Sequence, residues 1–88
     1  MTKKEFEKLD LLTMANAYAT YLEYELIGQD PEIMVSADRN NGVRIYTRAN
    51  DESAWISFRD KEDLKQHIYE NHGNFFEMMA DYQPYGNR

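Results

Sequence analysis

The apolar positions of the first thirty residues repeat with the spacing of an α-helix. Thr2 and Glu5 have capping-box spacing at the start of this segment, and Gly28 is placed to end it. At ~100° per residue, seven apolar side chains fall within about 120° of one another. They are Leu11, Leu12, Ala15, Tyr18, Ala19, Leu22 and Leu26. The pattern predicts one long N-terminal helix with a core-facing stripe.

A second, softer stripe lies beside the first and contains Met14, Ala17, Tyr21 and Tyr24. One interpretation is that the sheet or the C-terminal helices cover these side chains. The other is an exposed acidic and aromatic interface, because tyrosine and methionine are common at binding surfaces. In that case the residues that contact a partner would be Met14, Tyr18, Tyr21 and Glu25.

The middle of the chain alternates apolar and polar residues with the period of a β-strand. Three such runs cover residues 32–37, 43–49 and 54–59, and turn sequences separate them. Asn41-Gly42 is a strong hairpin signal. The runs predict an antiparallel meander with one buried face and one wetter face.

The wetter face of this sheet carries the most suggestive group of side chains. Arg44, Tyr46 and Arg48 on the second strand can lie beside Trp55 on the third. These residues could be cross-strand pairs on a solvated face. They are also the residue types that anchor protein interfaces, and arginine with aromatic residues on an open sheet can stack on bases. All three interpretations are compatible with the sequence.

The C-terminal third predicts two short helices. Asp60 is a good N-cap for the first, Gly73 closes it, and Asn74 with Glu77 has capping-box spacing for the second. The predicted fold is therefore α+β, in the order α-β-β-β-α-α, with the long helix packed across the sheet. We expect a single domain over residues 1–82 and a flexible tail over residues 83–88.

Composition narrows the function classes. The 88 residues carry a net charge of −6 and no cysteine, so a disulfide framework and a thiolate metal site are excluded. The acidic excess sits on the two flanks, which carry −3 each, while residues 32–61 are neutral. Such a field disfavours direct binding of nucleic acid. No apolar leader or membrane-spanning segment is apparent, so we expect a cytoplasmic protein.

No constellation for catalysis or metal binding emerges. His67 and His72 would point about 140° apart on one helix, which is wrong for joint ligation. No nucleophile elbow surrounds a serine, and the glycines are isolated, so no phosphate-cradling loop is present. We expect no enzyme activity, no metal and no cofactor.

The leading hypothesis is a small acidic protein-binding module that regulates or inhibits a larger assembly, with a DNA-binding protein or nuclease as a candidate partner. One alternative is an acidic DNA mimic, because the helical flanks could imitate a row of phosphates. The order of elements resembles, in shape alone, that of some phage-encoded inhibitors of bacterial defence, including anti-CRISPR proteins. Further alternatives are a sheet-based binder of single-stranded nucleic acid and a homodimer.

Overall fold

The computed structural model describes residues 1–84 and contains four helices and one sheet in that range. The order of elements confirms the α+β prediction of helix, three antiparallel strands and C-terminal helices. The elements are α1 (Lys3–Glu7), α2 (Leu11–Glu25), β1 (Glu32–Ala37), β2 (Val43–Ala49), β3 (Glu52–Phe58), α3 (Lys61–Asn71) and α4 (Phe75–Met78). Of the expected flexible tail, residues 85–88 lie outside the described residues.

The N-terminal helix is interrupted, which corrects the prediction of one continuous helix. The capping box of Thr2 and Glu5 forms as expected and starts α1. Asp10 then has extended backbone angles, and its carboxylate accepts a 2.8 Å hydrogen bond from the backbone N–H of Thr13. This second N-cap starts α2 in a new direction. The break lets Phe6 and Leu9 bury their side chains completely or nearly so.

The buried side of α2 is rotated relative to the predicted stripe. Leu12 was assigned to the core but is 51% exposed. Met14, Ala17 and Tyr21, from the softer stripe, are fully buried. The physical reason is that α2 is covered from two directions, by the sheet and by α3. The buried surface therefore extends further around the helix than one stripe allows.

The sheet has the order β1-β2-β3, with both neighbouring pairs antiparallel. Asn50 and Asp51 form the two-residue turn between β2 and β3, and both have positive φ. Asn41-Gly42 does not form such a turn. Asn41 adopts the left-handed conformation, whereas Gly42 already pairs with Asp38. Glycine is required there because a Cβ would overlap the carbonyl oxygen of Phe58.

The helices α2 and α3 pack on one face of the sheet. Val43, Ile45 and Phe58 point into the core from this inner face and are almost completely buried. Asp60 caps α3 as predicted, by accepting from the N–H of Asp63. Asn74 precedes α4 but makes no cap hydrogen bond. None of the helices in residues 1–84 combines the length and apolar character that crossing a membrane requires.

Candidate functional site

The outer face of the sheet carries a central row of large side chains. The strand register places Met34, Tyr46 and Trp55 directly opposite one another on β1, β2 and β3. Met34 is 48% exposed and Trp55 is 49% exposed, although both are large and apolar. The alternation of residues on β1 places Ile33 and Val35 on the inner face, so it also predicts Met34 on the outer face. Met34 was nevertheless not included among the expected binding residues.

Arg44 and Tyr46 both pack against the indole of Trp55. The guanidinium of Arg44 lies 4.6 Å from the indole centroid, and the Tyr46 ring centroid lies 5.1 Å from it. A cation over an indole is attracted by its π-system, and tilted aromatic pairs add further stabilisation. The three side chains therefore form an ordered platform.

The two arginines of this face differ in how they are engaged. Arg48 pairs with Glu32 on the neighbouring strand, at 2.9 Å. Arg44 makes no ion pair within residues 1–84, so its charge is balanced only by the indole face and by solvent. An exposed guanidinium of this kind can bind a carboxylate or a phosphate in a fork geometry. The structure thus brings together Arg44, Tyr46, Arg48 and Trp55, as the sequence indicated.

The four residues of α2 that were expected to contact a partner are buried, with the exception of Glu25. Met14 and Tyr21 have no exposed area and Tyr18 is 2% exposed, so these side chains cannot contact a partner of the folded chain. The interpretation of this stripe as a binding surface is therefore wrong for these three residues, because the C-terminal segment covers it. Glu25 is exposed, and its carboxylate accepts a hydrogen bond from the Tyr21 hydroxyl.

The covered stripe contains a polar cluster that the sequence did not indicate. The hydroxyl of Tyr18 lies 3.0 Å from Nε2 of His67 and 2.9 Å from Nε2 of His72. The helical projection separated the two rings, but α3 ends at Asn71 and His72 leaves it with non-helical angles. Its ring can therefore turn inward, towards the hydroxyl of Tyr18.

A second hydroxyl extends this cluster. Tyr21 donates to Glu25 or to Oδ1 of Asn74, which is 2.8 Å away, and it lies 3.3 Å from Nδ1 of His72. This explains why Asn74 caps no helix, since its side chain faces Tyr21 instead. Burial raises the pKa of Tyr18 to about 12 and also raises the pKa of Tyr21. Burial, helped by repulsion from His67, lowers the pKa of His72.

The concave regions of the surface are open grooves. One has a volume of about 380 Å³ and lies beside α3, where Lys65 pairs with Glu62 at 2.7 Å and approaches Glu7. Another, of about 360 Å³, runs between β3 and α3. Within residues 1–84, no three side chains of histidine, aspartate or glutamate are grouped so as to hold a metal ion.

Comparisons of this chain with protein-family models, curated proteins and solved structures gave no match.

Proposed function

We propose that this chain is a cytoplasmic, non-enzymatic protein-binding module, and that the outer face of its sheet is the binding surface. The observation that carries the proposal is the row of half-exposed Met34, partly buried Tyr46 and half-exposed Trp55, with Arg44 over the indole. Within residues 1–84 the helices pack on the opposite face, so this row has no internal partner.

The residue types and their order support a protein partner. Tryptophan, tyrosine and arginine are enriched among the residues that dominate binding energy, and they work best at the centre of a patch ringed by polar groups. Here the apolar row is flanked by Arg44 and Ser36 on one side and by Arg48 and Glu32 on the other. The complementary surface would present an apolar or aromatic side chain beside a carboxylate that pairs with Arg44.

In cellular terms, we infer a regulator or inhibitor that occupies a site on a larger assembly. The chain has 88 residues, and the grooves of its described part are open rather than enclosed. Such a surface is suited to contact with another macromolecule rather than to enclosing a small substrate. A DNA-handling protein is one candidate partner, and a homodimer remains a further one.

Single-stranded nucleic acid is the second candidate ligand for the same face. The platform of Tyr46, Trp55 and Arg44 has the elements on which bases stack, and all four arginines between residues 39 and 59 lie in the sheet region. The net charge of −6 opposes the phosphate backbone, so we rank this candidate below a protein.

The DNA-mimic alternative has less support from the geometry. A mimic needs free carboxylates spaced like phosphates, whereas many acids of the helices already have partners. Glu5, Asp10 and Asp60 accept hydrogen bonds from backbone N–H groups at helix starts, and Glu62 pairs with Lys65. Caps and ion pairs of this kind are what a stable acidic fold requires on its own.

A quantitative capture experiment tests the main proposal. Tagged wild-type protein, Trp55→Ala, Arg44→Ala and Leu12→Ala would be incubated with nuclease-treated lysate of the native host, and bound proteins compared by mass spectrometry. Leu12 is the matched control because it is equally exposed, at 51%, but lies on α2. We expect one partner to be lost with the two sheet variants and kept with Leu12→Ala, since each anchor contributes about 1–3 kcal/mol.

Equal capture by all four proteins would place the binding surface elsewhere and contradict the proposal. The nucleic-acid candidate is separated by titrating the purified protein with single-stranded oligonucleotides. Trp55 is the only tryptophan, so stacking of a base on the platform would quench the intrinsic fluorescence. Saturable quenching at low salt, without any captured protein, would favour the second candidate.

A further inference from the structure

The backbone of β3 has a free edge, and its direction follows from the hydrogen-bond pattern of the sheet. Asp38 N–H donates to Gly42 O at 2.9 Å, so even-numbered residues of β2 direct their peptide groups towards β1. Odd-numbered residues of β2 then face β3, and through the register they bond to even-numbered residues there. The peptide groups of Ser53, Trp55 and Ser57 consequently point away from the sheet.

In the part of the chain that the structure describes, the outward peptide groups of this edge are free from Ser53 to Ser57, and a side chain of α3 occupies the next outward N–H group. Within residues 1–84, no hydrogen bond reaches the outward peptide groups of Ser53, Trp55 and Ser57, and all three residues are exposed. Two positions further, the N–H of Arg59 donates to Oδ2 of Asp63 at 3.0 Å. Edge strands are commonly blunted by charge, proline or a bulge, but the run Ser53–Ser57 contains no charged residue and no proline.

The residues of β3 whose peptide groups point away from the sheet are Ser53, Trp55 and Ser57, and this order of residue types is the same in either chain direction. An antiparallel second copy of β3 therefore places Trp55 opposite Trp55 and Ser53 opposite Ser57, with the same face of both sheets outward. The outward peptide groups meet in three pairs, and each pair exchanges two N–H···O bonds. A surface that is its own complement under a two-fold rotation is what an isologous dimer requires.

We propose that β3 pairs with β3 of a second copy of this chain, so that two three-stranded sheets become one. The proposal does not rest on the proposed function, because the contacts are backbone groups at the edge rather than side chains of the outer face.

The neighbouring side chains fit this register. The row of Met34, Tyr46 and Trp55 would continue into the same row of the second copy. Asp51, at the hairpin turn, would lie opposite Arg59 of the second copy, and Arg59 has an 87% exposed side chain. The open groove of about 360 Å³ between β3 and α3 would receive that turn.

One contact of the proposed dimer is repulsive, and removing it by mutation should strengthen the dimer. Glu52 of the second copy would enter the groove that Asp63 and Glu70 line, where like charges repel. The dimer should therefore be weak, with a dissociation constant on the order of 10–100 µM, as is usual for small interfaces. Glu52→Gln should tighten it.

Sedimentation equilibrium on the full chain tests the proposal from about 10 µM to about 1 mM, the range in which small interfaces associate. We expect the average mass to rise with concentration, from nearer 10.5 kDa towards twice that value. Ser57→Pro should remain a monomer, because proline removes an outward donor without touching the bonds to β2. Ser57→Ala, the matched control, should dimerise like the wild type.

Amide hydrogen exchange on the wild type gives a second readout that does not depend on the proline variant folding. At low concentration the amides of Trp55 and Ser57 should exchange freely, and those of Ala54 and Ile56 should be protected. At about 1 mM the first two should slow by about five- to fifteenfold, because only the remaining monomer exchanges freely.

Three results would overturn the proposal. The first is a monomer throughout the concentration range, which would leave the edge to a strand of another protein or to water. The second is a dimer that Ser57→Pro does not dissociate, which would place the contact on another surface. The third is a dimer in which the Trp55 amide stays unprotected.

Discussion

The hydroxyl of Tyr18 joins two histidine rings that lie 49 and 54 residues away along the chain. A phenol has one proton, so it can donate to only one of the two Nε2 atoms and must accept from the other. The neutral pair therefore needs one ring that carries its proton on Nε2 and one that does not. If both rings were charged, the phenol proton would have no acceptor among them.

This cluster predicts a pH dependence of stability that arises from His72. Its folded pKa is lowered by burial and by His67, although Glu25 opposes the shift. Below the ordinary value of 6.5, the unfolded chain binds a proton that the folded chain resists, so the free energy of unfolding decreases as the pH falls. Urea unfolding at pH 8 and pH 5.5 should show a lower midpoint at pH 5.5.

The variant His72→Gln isolates the contribution of this residue, because glutamine is polar but does not titrate. We expect its unfolding midpoint to change less between the two pH values than that of the wild type. Glu5 and Asp10 do not interfere, since their pKa values are lowered from values already well below this window. An unchanged difference between the two pH values in His72→Gln would assign the effect to other groups.

Which residues could be placed from the sequence depended on how local their environment is. Arg44, Tyr46, Arg48 and Trp55 were placed on one face because strand alternation is a local rule. Tyr21 could not be assigned to core or surface, because its burial depends on a segment about fifty residues away. Its apolar ring and polar tip are compatible with both environments.

The start of α2 is decided by the side chain of one residue. Asp10→Ala should destabilise the chain by about 0.5–2 kcal/mol, because it removes the acceptor for the N–H of Thr13 and a negative charge at a helix N-terminus. Chemical denaturation would measure the change. Asp10→Asn should retain most of the cap, and Glu23→Ala removes the same charge from an exposed position within α2. A similar loss in Glu23→Ala would point to net charge rather than to capping.

The elements themselves were predictable, but the junction between α1 and α2 was not. Apolar residues repeat with a period of two in the strands and of about 3.6 in the helices, so most elements could be identified with nearly correct bounds. Asp10 is a preferred N-cap residue, yet it stands at a position where a continuous helix also satisfies the apolar spacing. The cap at Asp10 favours the break together with the burial of Phe6 and Leu9 against the rest of the molecule, and that burial is not a local property of the sequence.

Arginines and lysines occupy different parts of the molecule, the sheet and the layer of helices. The described arginines, Arg39, Arg44, Arg48 and Arg59, belong to the sheet region, and the lysines belong to the helices and their ends. Most acids accompany the lysines, which gives the helical layer the negative excess. The sheet region also contains four acids, Glu32, Asp38, Asp51 and Glu52, so its net charge is zero. A partner that approaches the sheet therefore meets a neutral region with exposed aromatic area, although the chain as a whole is acidic.

The two ends of the described chain meet in an aromatic cluster. The ring of Phe6 in α1 lies 5.0 Å from Phe75 and 5.5 Å from Phe76. Phe75 in turn lies 5.1 Å from Tyr21, so the cluster continues into the core beneath α2. The short helices α1 and α4 are too short to be stable alone and depend on this packing.

Phe6→Ala tests whether these ends fold as one unit with the sheet. The variant should destabilise the chain by about 3–5 kcal/mol, because it leaves a cavity among rings that cannot collapse around it. Tyr24→Ala is the matched control: its ring is 48% exposed, and we expect a change within about 0.5 kcal/mol.

If the ends belong to the cooperative core, the denaturation midpoint falls and the protected amides of β2 exchange faster. If only the amides of α1 lose protection while the midpoint stays, the N-terminal helix is a local unit that opens independently. In that case the break at Asp10 would separate two folding units as well as two helices.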